Sequence, residues 1–164
     1  DSSFNRAIAN YPELRSWIDS LQADGALRDT FVVLSTGNRQ HAIFVANPKA
    51  HGRTALLVHG YECDAAKMIH IARLYERVLG YNVLLPDLYG HGMSDGDVAQ
   101  MGWKDRLDVM RWMAVADSLW GGTEGTAMVL HGISMGAATL YTPGMFWKVW
   151  LMAAIWLRSA SETR

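Results

Sequence analysis

"AMVLHGISMGAA", residues 127–138, is the most informative stretch of this 164-residue chain. Its first four residues are apolar and predict a short strand buried on both faces of a sheet. Gly132 and Gly136 then flank Ser134 in a Gly-x-Ser-x-Gly pattern, and small residues that favour a helix start follow. A strand, a sharp turn and a helix in this order hold a serine hydroxyl up at the sheet edge. The pattern predicts that Ser134 is a nucleophile, with an idle serine in a glycine-rich turn as the alternative.

Two further apolar runs, residues 55–58 and 82–85, predict two buried strands before the one that leads to Ser134. The segments between the three strands, residues 65–79 and 103–120, have helical periodicity. Alternating strands and helices favour parallel strands joined by crossovers, with helices on both faces of the sheet. The first helix aligns Met68, Ile71, Ala72, Tyr75 and Leu79 on one side, and the second aligns Leu107, Met110, Ala114 and Asp117.

The segment before these strands has a different pattern. Residues 1–28 are predicted to be a helical lead-in, and β-rich runs at residues 30–35 and 41–46 flank a turn at residues 36–39. This hairpin would add antiparallel strands at one edge of the sheet. The predicted fold class is therefore α/β, with a doubly wound, mostly parallel sheet and an N-terminal antiparallel hairpin.

Polar side chains follow the predicted parallel strands at their carboxyl ends, where such sheets bind ligands. His59, Asp87 and His131 share this edge with Ser134. Asp87 begins a tight glycine loop, and we predict that it supports that loop through hydrogen bonds rather than acting in catalysis. His91, in the same loop, has the same prediction.

The run His59-Gly60-Tyr61 adds a second element to the site. An oxyanion hole requires one N–H from the residue after the nucleophile and another from the loop after an earlier strand. The predicted donors are the backbone N–H groups of Met135 and Tyr61, with His59 and Gly60 in supporting positions.

At this point the chain resembles the α/β-hydrolase family, on motifs at residues 57–60, 85–96 and 131–138. It looks most like the bacterial serine hydrolases of esterase, lipase or acyl-peptidase type, over roughly residues 30–139. The resemblance implies Ser134 as nucleophile, Tyr61 and Met135 as oxyanion donors, and an acyl-enzyme formed from an ester or amide. We expect residues 1–139 to be the N-terminal part of a single, incomplete α/β-hydrolase domain.

The pattern of that family is broken after Ser134. Its triads run in the order Ser, Asp or Glu, His, but no His or Asp follows Ser134, and the only acid there is Glu162. The triad acid and base are therefore unknown. His131 precedes the turn on its own strand, which makes it a poor candidate base, and His59 and His91 are no better.

Residues 140–164 form an atypical tail rich in Trp and Met, which we expect to be helical. One hypothesis is an out-of-frame translation, because codons for residues 149–156 permit Val-Ala-Asp-Gly-Gly-Tyr-Met one base out of register. The alternatives are a genuine amphipathic helix packed on the sheet or on a partner, and a helix on a membrane surface.

Composition excludes several classes of function. A net charge of −1 and a pI of about 6.6 do not favour nucleic-acid binding. No apolar run is long enough to span a membrane, and no spacing suggests a metal or cofactor site. Cys63 is the single cysteine, so no internal disulfide forms, and we expect it to be a small buried or half-buried residue. The start at Asp1 predicts a processed or trimmed N-terminus, in a cytoplasmic or exported protein.

The expected function is a serine hydrolase acting on a small ester or acyl substrate, truncated and weakly active or inactive. A binding module without turnover and one half of a split hydrolase are the alternatives. If the sheet stops at the strand before Ser134, its exposed edge also favours self-association.

Overall fold

Apolar residues along the central strands dictate a sheet that is covered on both faces. The computed structural model describes residues 3–33 and 37–141. Its strands are β1 (Leu27–Val33), β2 (Arg39–Val45), β3 (Arg53–Val58), β4 (Asn82–Pro86) and β5 (Ala127–Gly132). Its α-helices are α1 (Ser3–Asn10), α2 (Arg15–Ala23), α3 (Ile69–Arg73), α4 (Asp105–Trp120) and α5 (Met135–Tyr141).

The five strands form one mixed sheet in the order β1-β2-β4-β3-β5. The hairpin strands β1 and β2 pair antiparallel, and β2 pairs antiparallel with β4. Parallel pairing joins β3 to β4 on one side and to β5 on the other. The predicted fold class, a doubly wound sheet with an N-terminal antiparallel hairpin, is confirmed.

Alternate residues of β3 supply two separate cores. Ala55 and Leu57 pack with α1, α2 and α3 on one face, whereas Leu56 and Val58 pack with α4 and α5 on the other. All four side chains are fully buried. The predicted burial of this strand on both faces follows directly from its position in the centre of the sheet.

Residues 65–78 are helical, as predicted, but they do not form one regular α-helix. The segment consists of a 3₁₀ turn (Ala65–Met68), α3, and a π-helical turn (Leu74–Val78) in which Leu79 N–H donates to Leu74 C=O. A π turn inserts one extra residue, which rotates the following side chains by about 100°. Leu79 is consequently exposed rather than aligned with the buried Met68 and Ala72.

Helix α4 also turns a different face inward from the one formed by Leu107 and Met110, both of which are exposed. Trp112 is fully buried and its indole N–H donates to Gln40 Oε1 on β2, which orients the helix. The buried positions are Asp105, Val109, Trp112, Met113 and Ala116.

Strand β5 was predicted to be buried on both faces, and this was wrong. Ala127 and Val129 share one face and are exposed, whereas Met128 on the opposite face is buried in the core with α4. Within residues 3–33 and 37–141, this strand pairs with β3 alone. It leads directly into the turn that holds Ser134, so the candidate site lies beside the strand that forms the sheet edge in the described part of the chain.

Parts of three predictions fall on residues outside the described ranges: the helical tail, apart from residues 140–141 in α5, residues 1–2 of the helical lead-in, and residues 34–36, where the first β-rich run ends and the hairpin turn begins. The division of the chain into residues 1–139 and 140–164 stays a prediction. Among the described helices, none combines the length and the apolar character needed to cross a membrane.

Candidate active site

Ser134 lies between the end of β5 and the start of α5, in a backbone conformation that L-residues rarely adopt. The φ angle of Ser134 is +52°, and Ser134 is exposed to solvent. The flanking glycines are required by space. A Cβ on Gly132 would overlap the backbone of Ala137, and a Cβ on Gly136 would overlap the carbonyl oxygen of Val58. The sharp turn is thus possible only with glycine on both sides.

This strain gives a prediction that compares two variants without the hydroxyl. Ser134→Gly should be more stable than Ser134→Ala, with a free energy of unfolding about 1 kcal/mol larger, because glycine adopts positive φ without the steric cost of a Cβ. At an ordinary position glycine is the less stable of the two. Urea unfolding of both variants measures the difference, and an equal or lower stability for Ser134→Gly would show that the turn is unstrained.

Gly60 lies against the turn that contains Ser134. A Cβ built on Gly60 would be 3.3 Å from Ser134 Cβ and 3.1 Å from the carbonyl oxygen of Ile133. The loop after β3 therefore passes beside the serine, as an oxyanion loop requires. Among the described residues, the N–H groups of Tyr61 and Met135 have no hydrogen-bond acceptor, so both remain candidate donors.

His59 is fully buried and joins this loop to the one after β4. Its Nε2 accepts a 2.9 Å hydrogen bond from Leu88 N–H, and its Nδ1 lies 2.7 Å from the carbonyl oxygen of Gly60. Burial lowers the pKa of the imidazole, which favours the neutral ring that these two bonds need. With both nitrogens occupied, His59 holds the loops together and has no free position for accepting a proton from Ser134.

Asp87 is the buried centre of a hydrogen-bond network. Its Oδ1 accepts from Ala65 N–H at 2.7 Å, and its Oδ2 accepts from Met93 N–H at 2.8 Å. Oδ2 also lies 2.7 Å from Nδ1 of His41. Burial by itself would raise the pKa of Asp87, but the hydrogen bonds from His41, Ala65 and Met93 lower it below its usual value. The carboxylate ties β4 to the loops on both sides of it.

His41, which sequence analysis missed as a polar core residue, is fully buried between two carboxylates. Its Nε2 lies 2.5 Å from Asp29 Oδ1 on β1, opposite the contact with Asp87. Burial would lower the pKa of His41, but the hydrogen bonds to Asp29 and Asp87 outweigh it and raise the pKa to about 9. The signal available in the sequence was a histidine and an aspartate on neighbouring hairpin strands.

The other candidate bases are engaged elsewhere. His131 Nδ1 lies 3.1 Å from the hydroxyl oxygen of Tyr75, and His91 Nδ1 lies 3.0 Å from the carbonyl oxygen of Tyr89. No histidine or carboxylate hydrogen-bonds to Ser134 within the described ranges. In that same part of the chain, no group of three or more His, Cys, Asp or Glu side chains could hold a metal ion.

A cavity of about 530 Å³ opens beside Ser134. One wall comes from the loop after β3 and the helical turn that follows it, and another from the junction between α1 and α2. Half-buried Cys63 belongs to the lining as a free thiol. The lining residues are Asn10, Tyr11, Gly60, Tyr61, Cys63, Lys67, Met68, His70, Ile133 and Ser134.

Solved structures similar to this chain are hydrolases with the α/β-hydrolase fold. An esterase of Pyrococcus furiosus aligns with a TM-score of 0.57 and 23% identity, over 69% of this chain and 44% of the esterase. The thioesterase domain of the curacin biosynthetic pathway aligns with a TM-score of 0.54 and 24% identity, over 70% of this chain and 38% of that domain.

An α/β serine hydrolase homologue from Coxiella burnetii aligns with a TM-score of 0.55 and 14% identity, over 68% of this chain and 54% of the homologue. No family model matches the chain, and no curated protein does. The chain therefore has part of the α/β-hydrolase fold and spans about half, or less, of the length of these three structures.

Proposed function

We propose that this chain carries the nucleophile and the oxyanion hole of a serine hydrolase that acts on carboxylic esters or amides. The observation that supports it best is the positive φ of Ser134 beside Gly60. Strained backbone of this kind clusters at active sites, where the surrounding structure holds it in place. The similar solved structures include an esterase and a thioesterase, which agrees with acyl transfer.

In the proposed reaction, Ser134 Oγ attacks the substrate carbonyl carbon and the carbonyl oxygen becomes an oxyanion. The N–H groups of Tyr61 and Met135 donate to that oxygen. The carbonyl re-forms as the bond to the leaving group breaks, and water then hydrolyses the acyl-enzyme on Ser134. An unassigned base takes the proton of Ser134 and gives it to the leaving alcohol or amine. In deacylation the same base takes a proton from the attacking water and returns it to Ser134 Oγ, and the acid that would orient the base is also unassigned.

Because no base lies at hydrogen-bond distance from Ser134 within the described residues, we expect turnover by this chain alone to be slow. Oxyanion stabilisation and substrate binding retain roughly 10³–10⁴-fold catalysis over water when triad members are removed. We therefore propose weak hydrolysis of activated esters. The second candidate function, one half of a split hydrolase, is favoured by the edge of β5 beside Ser134, which has no pairing strand among the described residues and could accept one.

A fluorophosphonate probe tests the nucleophile directly. We expect intact-protein mass spectrometry to show one adduct on the wild-type chain, located at Ser134 by peptide mapping. Ser134→Ala should lose the adduct, whereas Ser118→Ala, at an exposed serine of α4, should keep it. Folded wild-type protein that stays unlabelled after prolonged exposure would contradict the proposal and leave a binding module as the better description.

Size-exclusion chromatography distinguishes two ways in which the edge of β5 could be paired, by a second copy of this chain or by a different polypeptide. A second copy paired along β5 would give a dimer, and self-association through this edge stays a prediction. A complementary polypeptide that supplies the base should instead raise the labelling rate of Ser134 when it is added.

A further inference from the structure

The cavity beside Ser134 has an unbalanced electrostatic character. Its apolar lining includes the buried Met68 and the half-exposed Ile133, but its charged lining consists of Lys67, with His70 next to it. None of the ten lining residues is Asp or Glu. We propose that this cavity binds a carboxylate on the substrate, so that the preferred ester carries an anionic group away from the scissile carbonyl. The inference rests on the proposed function and names its substrate class.

Lys67 is held in place by its own backbone. Its N–H donates to Asp64 Oδ1 at 2.9 Å, and its carbonyl oxygen accepts from the Tyr11 hydroxyl at 2.8 Å. His70 Nδ1 lies 3.0 Å from the same carbonyl oxygen, and the His70 ring packs on Tyr11 with centroids 4.5 Å apart. The turn that carries Lys67 is thus fixed to the junction between α1 and α2, which lines the same cavity as Ser134.

The ammonium group of Lys67 has N–H groups that no described residue accepts. Nζ donates to the carbonyl oxygen of Glu62 at 3.0 Å, which uses one of its three N–H groups. No carboxylate within the described ranges lies within ion-pair distance of it. A substrate carboxylate at the cavity mouth would therefore meet a positioned cation that has no internal counter-ion.

Asp64, Glu62 and Glu13 do not line the cavity, although Glu13, after burial and Cys63, helps to raise the pKa of the lining residue Tyr11. Asp64 accepts the Lys67 N–H and also lies 3.8 Å from Arg6 Nε, so a second cation balances it. Glu62 is exposed and does not line the cavity. Lys67 is therefore the one permanently charged side chain among the described residues that line the cavity, although the chain as a whole carries a charge of −1.

The size of the effect follows from the exposure of Lys67. An exposed ion pair contributes about 0.2–1 kcal/mol, which corresponds to a preference of about 1.4- to 5-fold. Such a pair is screened by salt, since the Debye length falls from about 10 Å at 0.1 M to about 3 Å at 1 M. The preference for an anionic ligand should therefore disappear at 1 M NaCl.

Binding to Ser134→Ala tests the inference without requiring turnover. Monomethyl adipate places the carboxylate on the acyl side, and 6-acetoxyhexanoate places it on the alcohol side. Dimethyl adipate and methyl 6-acetoxyhexanoate are the neutral controls. Titrations followed by the amide resonances of Lys67 and Tyr11 should give a dissociation constant about 1.4- to 5-fold lower for at least one anion than for its neutral partner.

The variants decide whether Lys67 is responsible. Adding Lys67→Gln should abolish the preference, whereas adding Lys49→Gln, on the exposed turn between β2 and β3, should preserve it. Equal affinities for anion and neutral control, or a preference that survives Lys67→Gln, would overturn the inference. Because no acylation is involved, this outcome is independent of whether the fluorophosphonate probe labels Ser134.

Discussion

Asp87→Ala is expected to lower the free energy of unfolding by about 3–5 kcal/mol, the range observed when one partner of a buried ion pair is removed. The variant leaves the N–H groups of Ala65 and Met93 without their acceptor. It also leaves the buried His41 with Asp29 as its remaining carboxylate partner. Each of these groups is costly when it is desolvated and unpaired.

Asp95→Ala is the matched control. Asp95 follows the same strand, and its Oδ2 accepts a 2.7 Å hydrogen bond from Arg39 N–H, but the residue is exposed. We expect a loss of about 1 kcal/mol, because water replaces the lost acceptor. Urea unfolding at neutral pH measures both variants. Similar losses for the two would mean that the network around Asp87 contributes no more than a surface loop contact.

The Gly-x-Ser-x-Gly turn could be predicted because its requirements are backbone overlaps, within the turn at Gly132 and with the neighbouring strand β3 at Gly136, and they do not depend on the identity of other side chains. Gly132 and Gly136 are fixed by backbone overlap, and any sequence that forms this turn needs them. The central strands could be predicted equally well, since a short apolar run such as residues 55–58 has few alternatives to a strand buried on both faces. These features predicted the sheet, and with it the position of Ser134 at the carboxyl edge.

The features that sequence analysis missed depend on contacts between distant residues. The π turn that exposes Leu79 places one extra residue in a helix whose apolar spacing looks regular, and periodicity alone does not reveal it. The inward face of α4 is set by the bond from Trp112 to Gln40, 72 residues away in sequence. His41 looked like an ordinary strand residue, because its role requires both Asp29 and Asp87 to approach it.

The network around His41 also makes stability depend on pH in a defined direction. Its pKa rises from the usual 6.5 to about 9 in the folded protein. A raised pKa means that the folded state holds the proton more tightly than the unfolded chain does. The stabilisation is therefore complete below pH 6.5 and is lost as the pH rises through about 9. Asp87 has a lowered pKa and therefore affects stability at acidic pH. Its contribution to the free energy of unfolding is present above about pH 4 and is lost as the pH falls further.

We therefore expect the free energy of unfolding to fall by on the order of 3 kcal/mol between pH 6.5 and 9.5, since each unit of pKa shift corresponds to about 1.4 kcal/mol. His41→Gln keeps an uncharged hydrogen-bond donor in the same strand. At pH 6 this variant should have a lower free energy of unfolding than the wild-type protein, and its free energy of unfolding should not fall between pH 6.5 and 9.5. Subtracting the two urea-unfolding profiles removes the contributions of the other titrating groups. Because Asp87 binds Ala65 in the loop that follows Tyr61, the same deprotonation should loosen the loop beside Ser134. Profiles that run parallel from pH 6 to 9.5 would show that His41 is not an imidazolium in the folded protein.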